Sequence, residues 1–251
     1  MIGAGGGFVL VPVLLLLYPS ESPELITSIS LVVVSINALS GSVAYVRQHR
    51  IDYLAGNVFA IATMPGAIGG AFAVALIPRR MFDLFFGLVL LMIAGFLQIR
   101  PGSVTERRDR KGEVTRVITD GHGDTYVFSY NLLRGITMSL FVGFLSSLLG
   151  IGGGVIHVPL MVQVLHFPTH IATATSQYVL SITALTGTSV HWLNGDIDDG
   201  FRRMLTLGIG VLIGAQVGAR FSTRLAGSAL LRLLSLALVA AGLRLVVSAI
   251  F

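Results

Sequence analysis

The chain has 251 residues, of which 54% are hydrophobic and only 12% charged, with a mean hydropathy of +0.85. A soluble domain carries about a quarter charged residues, so this composition excludes a soluble enzyme, a disordered chain and an extended nucleic-acid binder. The net charge of +5 does not bring nucleic acid back as a partner, because almost all the basic residues sit between apolar runs or at their ends, where they signal topology.

Apolar runs are predicted, in chain order, over 2–17, 26–46, 54–77 and 81–99, then over 130–149, 151–167, 171–193, 201–223 and 228–251. Runs near 20 residues match one bilayer crossing, so the fold class is an all-α polytopic membrane protein. Between the two sets lies a polar linker, 100–129, with six basic and five acidic residues. This divides the chain into a first transmembrane region 1–99, the linker 100–129 and a second region 130–251. Within the linker, Val114–Ile118 and Thr125–Ser129 alternate around Asp120-Gly-His-Gly-Asp124, the pattern of a small β-hairpin with a glycine turn. Its mixed-sign charge reads as a solvated connector, and six basic residues in so short a loop place it on the cytoplasmic side. Arg79 and Arg80 are the weaker, dissenting vote on that topology.

The two regions correspond to each other. Gly3-Ala-Gly-Gly-Gly-Phe-Val-Leu-Val-Pro12 matches Gly150-Ile-Gly-Gly-Gly-Val-Ile-His-Val-Pro159. Ser35-Ile-Asn-Ala-Leu-Ser-Gly-Ser42 matches Ser181-Ile-Thr-Ala-Leu-Thr-Gly-Thr188, and Thr27, Ser30 and Asp52 align with Thr173, Ser176 and Asp198. Two homologous repeats are therefore expected, the arrangement of transporters that bind substrate at mid-membrane between their halves. The second repeat has an apolar span before its glycine motif and the first has none, so a leading helix is expected to be missing.

Consecutive glycines cost about 1 kcal/mol each inside a helix, and broken backbone at membrane depth is tolerated only against protein or a cavity. Gly5, Gly6 and Gly7, and likewise Gly152, Gly153 and Gly154, are therefore expected to break a helix. Each break would point the N–H-rich start of a half-helix at a shared anion site. The hydroxyl-rich span Thr173-Ala-Thr175-Ser176-Gln177 offers uncharged donors beside it, with Ser176, Thr183 and Gly187 near one helical face. Ser30 and Asn37 are their counterparts in the first repeat. His157 and His191 are candidate proton carriers.

Absences narrow the chemistry. All twelve acidic residues lie outside the predicted spans or near their ends, which argues against a carboxylate proton relay. No Walker motif is present. With no cysteine there is no thiolate site, and His166 with His170 lacks a third ligand for a metal. No cofactor, metal site or catalytic residue is expected, and the chain is not read as an enzyme.

The duplicated GxGGGxxxxP motif, the Ala172–Ser176 segment ATATS and the Leu185–Asp198 segment LTGTSVHWLNGDID together resemble the TauE/SafE sulfite exporter family, over nearly the whole chain. The resemblance implies a multi-pass permease of the bacterial inner membrane, moving sulfite, organosulfonates or related sulfur anions. It carries over to Gly3, Gly5–Gly7, Pro12, Gly150, Gly152–Gly154, Pro159 and Thr173–Gln177. The first half departs from the pattern at Thr27-Ser-Ile-Ser30. The expected partners are a sulfur oxyanion or organosulfonate and the lipid bilayer, with no nucleic acid and room for a homodimer. Export driven by the membrane potential is the leading expectation. Ion-coupled import of an organosulfonate or thiosulfate is the alternative.

Overall fold

A computed structural model describes residues 6–98, 113–194, 206, 210 and 227–250. The protein is mostly helical, with one small two-stranded sheet. In chain order come α1 (Gly7–Leu17), α2 (Pro23–Arg47), α3 (Tyr53–Ala75) and α4 (Arg79–Gln98). Strands β1 (Val114–Thr119) and β2 (Thr125–Tyr130) follow, then α5 (Leu132–Leu149), α6 (Gly154–Gln163), α7 (Thr169–Leu193) and α8 (Gly227–Ile250). The predicted run 201–223 and the first part of the linker fall outside the described residues.

Among the described residues three helices, α2, α3 and α5, are long and apolar enough to cross a bilayer, and the protein is a membrane protein. Large apolar side chains remain exposed along helix flanks, among them Ile61, Phe72, Met92, Phe141 and Leu236. In water such a surface would be an aggregation liability, whereas acyl chains solvate it.

The long helices start on side-chain caps. Ser22 accepts from the Leu25 amide ahead of Pro23, Asp52 accepts from the Leu54 and Ala55 amides, and Asn131 accepts from Arg134. Each oxygen satisfies a donor that the first helical turn leaves orphaned. The two short helices differ. Both α1 and α6 start on a left-handed glycine with no side-chain cap, and both carry proline at their sixth residue, Pro12 and Pro159.

Packing depends on close backbone approach, as is common where no hydrophobic effect drives helices together. Gly66 and Gly70 of α3 lie on the α5 backbone at Leu140 and Phe144, while Gly143 of α5 lies on Thr63 of α3. A β-carbon on Gly87 of α4 would stand 2.8 Å from the Gly242 carbonyl of α8, and one on Gly242 would stand 2.9 Å from the Gly87 carbonyl. Helix α2 pairs with α7, where Ser42 Oγ donates to the Gln177 carbonyl at 3.0 Å.

The hairpin spans one residue more per strand than predicted, with Val117 opposite Val127. It is no loose connector. Phe128 and Tyr130 of β2 form an aromatic cluster with Phe167 and Phe59. The turn is fastened to the α2–α3 loop by the Arg50–Asp120 ion pair at 2.9 Å and by the Gly121 amide donating to the Gln48 carbonyl at 2.9 Å. Arg116 reaches the α3 cap Asp52 at 3.2 Å. The solvated-connector reading misses this because opposite charges in one loop can each have a partner elsewhere in the chain.

Burial would raise the Asp120 carboxyl pKa, but the Arg50 hydrogen bond, the His122 and Asp124 amides and the Arg50 charge outweigh it. The group is held below its ordinary range. Burial pushes the Tyr130 hydroxyl up, and the neighbouring Asp52 charge adds to this.

The twin arginines also have local partners. Arg79 pairs with Asp83 at 2.9 Å and donates to the Glu21 and Leu15 carbonyls. Arg80 donates to the Ala249 and Ile250 carbonyls at the end of α8, where a cation complements the helix dipole.

Candidate functional site

The chain breaks between α5 and α6. Helix α5 stops at Leu149, and Gly150, Gly152 and Gly153 have φ of +66°, +75° and +60°. An L-residue with a β-carbon pays about 1–2 kcal/mol in that conformation, so three such positions within four residues require glycine. A β-carbon on Gly152 would also strike Val34 and stand 3.0 Å from Leu180. The carbonyls of Gly152 and Gly153 fold back to accept from Gly154 and His157, and α6 begins with Gly154 and Val155. The Gly153 carbonyl also accepts from Ile156, which leaves the Val155 amide as the first-turn donor with no backbone acceptor among the described residues.

This start opens on a small cavity with room for about one water molecule. Gly152–Gly154 and His157 line it from the break, Ser176, Leu180 and Thr183 from α7, Thr63 from α3 and Val142 from α5. Among the described residues that line it, none carries a carboxylate, a lysine or an arginine.

Polar groups without partners gather here. Ser176 Oγ and His157 Nδ1 are buried and have no hydrogen bond among the described residues. The same holds for Ser146 Oγ, which a β-carbon on Gly153 would meet at 3.2 Å, and for Ser147 Oγ beside Gly187. Leaving one buried polar group unpaired costs about 1–3 kcal/mol. Ser176, His157 and Ser146 surround the break, and three such groups are costly unless a ligand or water satisfies them, whereas Ser147 Oγ lies on the α7 side at Gly187. The rest of the wall is satisfied: Thr63 and Thr183 share a 2.7 Å hydroxyl contact, and His157 Nε2 meets Ser139 Oγ at 3.2 Å. Phe59 fixes the imidazole from the other side, edge-on, with ring centroids 5.9 Å apart.

The site residues expected from sequence divide into two groups. Gly152, Gly153, Gly154, Ser176 and His157 meet at the cavity. The others have different neighbours. Thr173 donates to the Thr169 carbonyl, Thr175 Oγ1 accepts the Asp52 amide at 3.0 Å, and the buried Gln177 side chain packs on Gly41. Ser30 Oγ donates to the Gly150 carbonyl at 2.6 Å, so it holds the break from outside. Asn37 is half-buried in α2, and His191 is buried near the end of α7. Gly5 falls outside the described residues. Gly6 caps α1 with φ +78° and is exposed, with nothing within 4 Å of a β-carbon built on it. Gly7 is buried against the break itself, where a β-carbon would stand 2.8 Å from the Ile151 carbonyl and 2.9 Å from that of Gly150. The starts of the two short helices therefore touch.

Sequence reasoning did not single out Thr63, Ser146 or Ser147. A signal for the serines was present, since Ser146-Ser147 lies one turn before Gly150. Thr63 enters only through the packing of α3 on α5 and α7.

The family model of the sulfite exporter TauE/SafE matches residues 1–245. The chain belongs to this family. The probable membrane transporter protein YunE of Bacillus subtilis is 30% identical over the whole chain and 93% of its own length. A probable membrane transporter protein of Xylella fastidiosa is 25% identical over 91% of the chain and 81% of its own length. The probable membrane transporter protein MJ0441 of Methanocaldococcus jannaschii is 23% identical over 74% of the chain and 64% of its own length. No solved structure matches. Family and relatives indicate a membrane transporter rather than an enzyme.

Proposed function

We propose that this TauE/SafE protein is an inner-membrane permease that exports sulfite or a related sulfur-containing anion, and that the cavity at the start of α6 is its anion site. The observation that carries the proposal is the set of unpaired polar groups at this helix start, with no carboxylate among the described residues that line the cavity. A helix N-terminus favours negative charge, and the buried hydroxyls add donors without a competing charge.

Two homologous halves are part of the proposal. The sequence correspondence pairs α2 with α7, and these two helices are in contact, as expected of a pseudo-twofold arrangement. The basic residues of the linker support a cytoplasmic position for it. A membrane potential of 100 mV, negative inside, contributes about 2.3 kcal/mol per charge, so it favours efflux of an anion without ATP.

The test is sulfite flux in proteoliposomes at imposed potentials, for the wild type and for Gly153→Leu and Ser176→Ala. The proposal expects voltage-dependent flux, abolished by the first substitution and reduced at least tenfold by the second. Wild-type flux that neither substitution affects would overturn the site.

A further inference from the structure

We propose that His157 makes this a proton-linked anion site: one proton binds the imidazole as one anion enters the cavity, and the two cross together. The inference rests on the reading of the α6 start as the anion site and adds its coupling ion.

The geometry is specific to the second glycine motif. His157 stands where the first motif has Leu10. Its Nε2 is held by Ser139 Oγ at 3.2 Å, and its Nδ1 has no partner among the described residues. It lines the same small cavity as Ser176 and the glycine break. The groups that face it are Phe59 and Thr63 from α3, Ser139 and Val142 from α5, and Ser176 and Thr183 from α7. None of these is charged or titrates in the physiological range. A proton on His157 therefore has no fixed counter-charge in this wall, and an anion at the α6 start has no fixed cation.

Either charge alone is expensive to bury, and the pair is much less so. Each ligand thus raises the affinity of the other by the same factor. In the loaded state both ring nitrogens donate: Nε2–H to Ser139 Oγ, Nδ1–H towards the anion. On release the proton returns to water with the anion, leaving the imidazole neutral. One proton and one anion move per cycle, with no redox partner and no covalent step. A dianion would then carry a net charge of one, with half the voltage dependence of the uncoupled ion.

The experiment uses the full chain in proteoliposomes with sulfate, whose charge is constant across the range where histidine titrates, about pH 5 to 8, and with sulfite as a second probe. Anion flux, internal pH and net charge are recorded together. The expected result is flux that rises at least tenfold from about pH 8 to about pH 5, one proton moved per anion, and one net charge per sulfate. His157→Gln should lose proton movement and flatten the pH profile. Ser139→Ala, which keeps the imidazole but removes the acceptor for Nε2–H, should shift the profile midpoint to lower pH. That readout stands even if His157→Gln fails to fold.

Anion flux without proton movement in the wild type would overturn this inference and leave the anion site standing. Proton movement that survives in His157→Gln, or a midpoint unmoved in Ser139→Ala, would overturn the assignment to His157. No flux of either anion would overturn both.

Discussion

The two glycine-started helices are built alike and surrounded differently. Both begin on a left-handed glycine and carry proline at the sixth residue. Yet Gly6 is exposed, while Gly153 faces a cavity with unpaired hydroxyls around it. Helix α1 buries Phe8, Val11, Leu14 and Leu15 in an apolar cluster, whereas α6 adds His157 to the cavity wall. The lesson is that a motif specifies backbone shape, and the chemistry at that shape comes from the neighbouring helices. In α5 and α7 those neighbours supply Ser139, Ser146 and Ser176.

The sharpest way to break this contrast is to place leucine at each glycine. Gly153→Leu adds the left-handed strain to a collision with Ser146 and Val142, and should abolish flux and lower stability by at least about 2 kcal/mol. Gly6→Leu meets open space and pays only the strain, about 1–2 kcal/mol, with flux retained. Thermal unfolding in detergent and sulfite flux measure the two effects. Equal losses at both positions would remove the distinction.

A smaller effect should separate the aligned serines. Ser30→Ala removes the hydroxyl that holds the Gly150 carbonyl at 2.6 Å and should cost about 1 kcal/mol of stability. Ser176→Ala removes a hydroxyl with no partner among the described residues, so stability should hold or rise while sulfite binding weakens. The check is chemical unfolding alongside a binding titration.

The smallest effect concerns the hairpin, whose Phe128 and Tyr130 pack on Phe167 in one cluster with Phe59 of α3 and Met161 of α6. Asp120 has its pKa lowered in the fold. The stability it contributes is therefore present above its unfolded value, about 3.9, and is lost as pH falls through the folded one. Protection of the β1–β2 amides, taken relative to their intrinsic exchange rate, should fall on acidification below about pH 4, and Asp120→Asn should show the lower protection already at neutral pH.

Much of this asymmetry was legible in the sequence. The break at Gly150–Gly153 follows from consecutive glycines in an apolar run, and the hairpin from Asp120-Gly-His-Gly-Asp124 between two alternating stretches. Helical spacing puts Ser176 and Thr183 on one face, and both line the cavity. The other hydroxyls of α7 were less legible. Thr173, Ser181, Thr186 and Ser189 each donate to a carbonyl three or four residues back, so a hydroxyl count overstates the donors available to a ligand. Thr63 and the docking of the hairpin were hidden for another reason. Both depend on contacts between distant segments, and neither Asp52 nor Arg50 reveals in sequence that it holds a partner from the linker.

The central claim is that a sulfur oxyanion sits at the start of α6, and selenate, a heavier analogue of sulfate, can locate it. Anomalous diffraction from crystals soaked in selenate should give its strongest peak inside the cavity, within hydrogen-bond reach of Ser176 Oγ and the Val155 amide. An empty cavity, with the selenium instead on the arginines beside the hairpin or elsewhere on the surface, would contradict the account.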